Sequence, residues 1–513
     1  MARGDIVFLK GNGASKRLAA GEDYISGLIL YSGTLPSGFT TTANIKPFYS
    51  IIDAENAGIL ADYSDETKAA GIYLVTSKGT NGDTLNIKVT EPYGVIVDLG
   101  TYIQVAGDST VDKVGIAIAA IINAGTKIHG YTAVNTTGSI AITARSGLGV
   151  FLNSGTPITV TLGGNAIPTI AGTLTQFTGG VASKQAVWHY HISEFFRGNP
   201  KSILWVGFFP VPSSYTFSEI TLLQTAAAGK IRQVGIYKDG AAYASADLTA
   251  IDLEIKTYND GRHKPLSALY AADLKAMADI TTIPDLSALT ANKVSSIIGQ
   301  DGAALGSWLF LITGKSITQL GIALGMLSVS SVSEDFGQPN SAKFNLSNGT
   351  ENDVPAFANG QLLSNPALTD SALDAIDAKR HIFGQTYVGY SGTYFNENHC
   401  AVTTTSDYAF INDNRVIDKA IRGIYTALIP YLKSKLLKNA DGTLADTTIA
   451  FLETQALQPL YQMARDQDLG EVVPDDVYID PSQNVTSTNL LIINVKLNEN
   501  GIARNIQIPI SFK

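Results

Sequence analysis

Two periodicities of apolar residues take turns along this chain. Short apolar runs bounded by Gly, Pro, Ser and Asn read as strands, and stretches with apolar residues three and four apart read as helices. From Gly21 to about Ala70 the two alternate: YISGLILYSG is a strand pattern, and DAENAGILADY reads as a helix with Asp53 at its N-cap. The same alternation returns after residue 183. KSILWVGFFPVP is a buried-strand pattern ending at Pro210. ITLLQTAAAGKIRQVGIY reads as helix, Gly and strand, and AADLKAMADI before NKVSSIIGQDG as another helix and strand. Such repetition predicts α/β layers with partly parallel pairing.

Between these stretches, residues 71–183 are rich in Thr, Gly, Val and Ile in short alternating runs such as LNIKVT, GVIVDLG, SIAITAR and PITVTLGG. One helical stretch, VDKVGIAIAAIINAG, interrupts them, and between Gly130 and Ser183 the only charged side chain is Arg145. Because α/β alternation resumes afterwards, this block reads as a β-rich insertion. A polar, Asn- and Pro-rich loop over 345–368 leads to a second unit. There DSALDAIDAKR is a helix and IFGQTYVGYSGTYF a pair of strands. The longest helix is predicted from Asn412 to about Leu437. Its apolar stripe is Ile417, Ala420, Ile421, Ile424, Tyr425, Leu428 and Leu432. Arg415, Lys419 and Arg422 lie off that stripe, Asp418 and Arg422 are spaced to pair, and Pro430 ends or kinks the helix. A further helix, TTIAFLETQALQPLYQMARDQ, precedes VVPDDVYIDPSQN.

The two ends differ from this body. Asp5–Lys10 carries a strand pattern through Ile6, Val7, Phe8 and Leu9, with Gly11 and Gly13 following, and reads as an extended arm or as an ordinary N-terminal edge strand. At the other end, Leu491, Ile493, Val495 and Leu497 alternate with polar neighbours or Ile492. Ile506, Ile508, Ile510 and Phe512 then line one face of a second run. Asn500–Gly501 between them is a strong hairpin signal, because both residues tolerate the positive φ of a type I′ turn. An isolated two-stranded hairpin is only marginally stable, so this one must join a sheet, and the pattern alone favours its own. Pro509 cannot donate a ladder hydrogen bond and demands an unpaired side or a bulge.

Composition narrows the function classes. The 513 residues exceed one core, and at 45% hydrophobic and 16% charged they can bury several. A net charge of −9 argues against a general nucleic-acid binder, which needs a basic face. Cys400 is the only cysteine, so no intramolecular disulfide forms, and no apolar run predicts a membrane span. The start carries no apolar signal-peptide core, so synthesis and use in the cytoplasm are expected. His189 and His191 lack the ligand spacings of a zinc site. His399 and Cys400 are adjacent, and on an extended segment would face opposite ways. ITGKS follows an apolar strand-like run and resembles the close of a phosphate loop, but Leu309 stands where that loop needs its first Gly. Asp475–Asp476 reads as a solvated pair in a loop. No catalytic constellation, metal site or cofactor site emerges, and an enzyme is not expected.

Three segments resemble one family. GEDYISGLILYSGTLPSGF, the run GTYFNENHCAVTTTSDYAFINDNRVIDKAIRGIYTALIPYL followed by NADGTL, and DPSQNVTSTNLLIINVKLNENGIARNIQIPISF are similar to contractile tail sheath proteins. In that family a Gly-x-Ala-Arg turn precedes the final strand. The resemblance covers about 1–70 and 186–513 and is strongest from Tyr394 on. It implies a multi-domain α/β (α+β) core of mixed sheets flanked by helices, with an inserted β-rich domain and extended terminal strand arms. The expected division is an arm at 1–20, an α/β domain at 21–70 and 184–344, an outward insertion at 71–183, a C-terminal α/β domain at 345–488 facing an inner tube, and a hairpin arm at 489–513. The resemblance further implies a helical homopolymer of six-subunit rings, strand exchange between copies through both arms with hinges at Gly11 and Gly13 and over Asp475–Asn484, and partners in an inner tube, a baseplate and a tail terminator. The particle would be a phage tail or a phage-tail-like machine assembled in a bacterial host. Direct nucleic-acid binding and membrane insertion are not expected. Arg415, Lys419 and Arg422 are the candidate tube contacts, against the plainer reading of a solvated face. The alternative function is a surface binding module built on the Thr/Gly-rich block.

Overall fold

The computed structural model describes residues 22–339, 342–465, 470–488, 490–498 and 501–504. The predicted N-terminal arm, Asn500 and the run from Ile506 to Phe512 lie outside the described residues. At the centre is a seven-stranded sheet of β1 (Ile25–Tyr31), β2 (Ile45–Phe48), β3 (Ile203–Phe209), β4 (Gln233–Ala242), β5 (Ser267–Asp273), β6 (Val294–Ile297) and β7 (His381–Ile382). Its order is β7-β6-β5-β4-β1-β3-β2. All neighbours are parallel except the edge pair β3–β2. This is the mixed α/β core that the alternation predicts.

Every residue of β1 is buried, as expected for a central strand covered on both faces. Leu28 and Leu30 join Val206, Phe208, Tyr237 and Leu269 on one face. Ile25, Ile29 and Tyr31 join Val234, Ile236 and Tyr270 on the other. Two helices cover the first face, α1 (Gln185–Gly198) and α2 (Leu320–Val329). They approach through glycine: a Cβ at Gly321 would lie 2.3 Å from the His191 carbonyl oxygen, and one at Gly325 2.5 Å from that of Phe195. The second face is covered by helices Glu219–Ala226 and Ser245–Arg262.

Residues 70–178 build a four-stranded and a three-stranded antiparallel sheet around the helix Val111–Ala124. They enclose a core of their own, including Tyr73, Ile87, Val114, Ile118, Tyr131, Ile140 and Phe177. The chain enters and leaves this unit side by side, with Thr67 and Val181 exchanging two backbone hydrogen bonds of 3.0 and 2.8 Å. The unit docks on the helix Leu305–Thr313: the Tyr93 hydroxyl donates to Ser307 Oγ (2.9 Å), and Arg145 lies over the Trp308 ring. Close by, Val150 N–H donates to the Ile312 carbonyl at 2.7 Å.

Several local expectations are corrected. The helix after β2 is capped by Ser50, and Asp53 instead reaches back to the Tyr49 N–H at 2.9 Å. AADLKAMADI is not helical. Its first residues finish β5, and the helical spacing arises because Leu274, Met277 and Ile280 of a loop pack on Phe357 and Phe383. The apolar run before GKS is helix Leu305–Thr313 rather than strand, and Lys315 pairs with Asp239 at 3.2 Å. The central sheet takes β7 from His381–Ile382, so the body continues past residue 345, where a separate domain was expected. The long helix α3 spans Ile411–Leu428 and passes at Pro430 into a short 3-10 turn, ending short of Leu437. It packs against α4 (Asp446–Arg465).

The first strand of the expected terminal hairpin pairs with an upstream segment, and its second strand lies outside the described residues. β8 (Val473–Tyr478) pairs antiparallel with β9 (Asn494–Asn498), with Val477 opposite Val495. Asp475 and Asp476 therefore belong to a strand, and the stretch from Asp475 to Asn484 is not simply a hinge. Gly501 is described, but in no strand.

Candidate functional site

The site is built around α3, whose two faces are arranged against expectation. Arg415, Lys419 and Arg422 are 4%, 4% and 6% exposed, whereas Ile421 and Tyr425 of the apolar stripe are 44% and 43% exposed. Neither a tube-contacting face nor a solvated one describes the three cations, because buried acids and carbonyls hold them. Lys419 Nζ lies 3.1 Å from Asp23 and 2.5 Å from Glu471, and the Arg422 guanidinium lies 2.6 Å from the other Asp23 oxygen. Arg415 donates to Ser330 Oγ (2.6 Å) and to the Ser331 carbonyl (3.1 Å), and Ser331 Oγ in turn donates to Glu471. On the same helix, Asp418 accepts from Lys293 at 2.6 Å instead of pairing with Arg422.

Charges taken out of water are tolerated only when paired and hydrogen-bonded. Burial pushes Arg415 down to about 10. Burial also opposes the charge on Lys419, but Asp23 and Glu471 outweigh it and leave this lysine raised. The positions of the acids give the cluster its meaning. Asp23 is among the first described residues, two before β1, and Glu471 stands two before β8. One lysine thus ties the root of the N-terminal segment to the root of the β8–β9 ribbon. Glu22 adds ion pairs to Lys230 (3.3 Å) and Arg232 (3.4 Å).

The β8–β9 ribbon is two-stranded among the described residues. Leu491, Ile493, Val495 and Leu497 share its half-buried side, as the alternation predicts. Ile493, Val495 and Leu497 pack towards Val416, Ala420, Leu460 and Met463 of α3 and α4, and Leu491 towards Leu452 and Ile479. Among the described residues each strand has one partner strand.

Other singled-out residues are placed elsewhere. His189 and His191 sit on α1, where His189 contacts Glu55 at 3.0 Å and His191 is fully buried against Tyr237. His399 contacts Asp377 at 3.0 Å, and Cys400 is buried with its thiol pushed up to about 12, chiefly by burial. Among the described residues, no cluster of three or more His, Cys, Asp or Glu is placed to hold a metal ion. None of the described helices is long and apolar enough to cross a membrane.

Two family models match this chain: the DUF2586 N-terminal domain over residues 77–399 and the DUF2586 C-terminal domain over 407–513. The chain belongs to the DUF2586 family. The DUF2586 match runs through most of the β-rich insertion, which carried none of the sheath resemblance, and its two parts divide just before α3. No curated protein matches the chain. Among solved structures it is similar to a chain of the anti-feeding prophage baseplate, at 12% identity and a TM-score of 0.42, covering 63% of this chain and 80% of that one. The helical sheath of the same particle in its contracted state gives 14% identity and 0.41, covering 63% and 81%. The sheath tail protein Lin1278 from Listeria innocua gives 10% identity and 0.39, covering 94% and 93%.

Sequence reasoning missed the acids of this site. Asp23 and Glu471 stand in short loops with no periodicity to flag them, and their partners lie about 400 and 50 positions away in the chain. The only signal was indirect: three cations on one helix with too few acids at i±4 to pair them.

Proposed function

We propose that this DUF2586 chain is a structural subunit of a contractile tail sheath. It polymerises as stacked hexameric rings around an inner tube and shortens to drive that tube through a target envelope. Its partners are further copies of itself, the tube, a baseplate and a tail terminator, in a phage tail or phage-tail-like particle made in a bacterial cytoplasm. The observation that carries this reading is the β8–β9 ribbon, whose strands have one partner each among the described residues, standing beside the clamped root of the N-terminal segment. An unpaired edge accepts a further strand through backbone hydrogen bonds alone, so a copy supplying Ile6–Leu9 or Ile506–Phe512 extends the ribbon without side-chain specificity. Repeated in one direction, such a heterologous contact propagates a helix instead of closing a small ring. The sheath-like motifs at Gly21–Phe39, at 392–432 and at 480–512 include Asp23, the cations of α3 and the strand β9.

The ion cluster then has a mechanical role. A pull on either terminal segment reaches Asp23 or Glu471, and Lys419 passes it to α3 and the body. No reaction centre is needed. The extended lattice is the metastable one, and contraction exchanges body contacts while strand joints persist.

Negative-stain electron microscopy of the purified chain across a concentration series, alone and with a cognate tube protein, tests this. Striated hollow tubes are expected. Compact particles under both conditions would refute it. Deleting Leu490–Lys513 is expected to leave the body folded by circular dichroism and to abolish the tubes, and normal tubes from that variant would remove the strand-joint role.

A further inference from the structure

The arginine of the Gly-x-Ala-Arg motif is Arg504, and the structure gives it a built receptor. Of the described segment 501–504, Gly501, Ile502 and Ala503 are exposed, and Arg504 alone is drawn inward. One guanidinium nitrogen reaches Asp335 Oδ2 at 2.9 Å and also contacts Glu397, and the other donates to Asn412 Oδ1 at 3.4 Å. The guanidinium carbon lies 3.4 Å from the centre of the Phe410 ring. Arg380 also lies over that ring, held by the backbone carbonyls of Cys400 and Ala409. These residues come from separate places: Asp335 from the turn after α2, Glu397 from the loop after the strand Tyr390–Phe395, and Phe410 and Asn412 from the start of α3. Beside them a cavity of about 340 Å³ is lined by Thr404, Thr405, Asp407, Asp413, Gly501 and Ile502.

Two carboxylates, an amide oxygen and an aromatic face around one point match a planar guanidinium, and match an ammonium poorly. Burial and the adjacent Glu397 raise Asp335. Burial works against Glu397, but the hydrogen bond with Asp335 and the Arg504 charge leave it below its usual range. Both acids face the Arg504 guanidinium. If Arg504 leaves, two half-buried acids lose this cation, so an empty socket is disfavoured.

We propose that Asp335, Glu397, Phe410 and Asn412 form a guanidinium-binding socket whose ligand is Arg504, and that the terminal segment leaves its own body only when this arginine is exchanged for another. The replacement supplied by a second copy rests on the self-assembly proposed above. The socket itself does not.

The test uses full-length protein below any assembling concentration. In hydrogen-exchange mass spectrometry, Arg504→Ala is expected to speed exchange of the amides around 501–504 at least tenfold, and Arg504→Lys less. A labelled peptide of residues 499–513 is then titrated into the Arg504→Ala protein. It is expected to bind at least tenfold more tightly than the same peptide carrying Ala at 504. Phe410→Leu in that protein should erase the difference without removing an acid. Equal affinity of the two peptides, or exchange unchanged by Arg504→Ala, overturns the socket. Failure of the wild-type chain to form tubes while the peptides still discriminate leaves the socket standing and overturns only the sheath reading.

Discussion

At the scale of single residues, this protein stakes its stability on buried polar groups. His191 is fully buried with neither ring nitrogen bonded among the described residues, and burial lowers it to about 3. His381, lowered to about 4 for the same reason, lies between Ser296 and the Pro284 carbonyl. Both folded values lie below the ordinary histidine value near 6.5, so each ring stays neutral while the unfolded chain takes up a proton. Stability is therefore whole above pH 6.5 and falls as the pH drops towards 4, by about 2 kcal/mol per histidine at pH 5 relative to pH 7. Urea melts at pH 7, 6 and 5 check this, and His191→Phe should flatten the acid limb by about one proton. Lys419→Met tests the ion cluster. It leaves Glu471 buried without its cation and Asp23 with Arg422 alone, so a loss of about 3 kcal/mol is expected in the same melts. Lys419→Met proving neutral would mean the cluster contributes specificity and no stability. Of the ion cluster the sequence displayed only the cations. Their acids were illegible, because an ion pair across hundreds of positions leaves no periodic trace.

At the scale of elements, amphipathic pattern located helices well and assigned their faces badly. α3 shows why. Its apolar stripe was taken for the buried side, yet the cationic side is the more buried because Asp23, Glu471 and the Ser330–Ser331 backbone await it there. A hydrophobic stripe marks what an isolated helix would bury, and a neighbour of opposite charge overrides it. AADLKAMADI failed for a related reason, since a loop over a core repeats its apolar contacts much as a helix does. The helix Ser245–Arg262 was passed over, although Leu248, Ile251, Ile255 and Tyr258 follow helical spacing and all are buried. The α1–α2 contact supplies a prediction here. Gly321→Ala places a methyl 2.3 Å from the His191 carbonyl oxygen, so the helices must separate. A destabilisation of about 2–3 kcal/mol is expected by thermal or denaturant unfolding, and an unchanged midpoint would show that the two helices slide apart freely.

At the scale of the whole molecule, the β-rich unit is attached as a module. Its two connections lie hydrogen-bonded side by side at Thr67 and Val181, and its core is its own. Replacing residues 68–180 by a short Gly/Ser linker is expected to leave the seven-stranded body folded, with a cooperative melt and the circular dichroism of its helices. Some stability should be lost, because Trp308 and the Ile312 carbonyl lose their cover. Collapse of cooperativity would show that the body needs the unit. The chain's linear order was enough to reveal strand–helix alternation, the interruption at 71–183, the central strands and the half-buried face of Leu491–Leu497, since local spacing alone sets which residues share a face. The order of the sheet, the extension of the body to His381–Ile382, the pairing of β9 with β8, and the closing of Asp23, Glu471, Asp335 and Glu397 around their cations came only with the folded chain. Those contacts join segments remote in sequence, and their partners are chosen by geometry and by the cost of leaving a buried charge unpaired, neither of which a local pattern records.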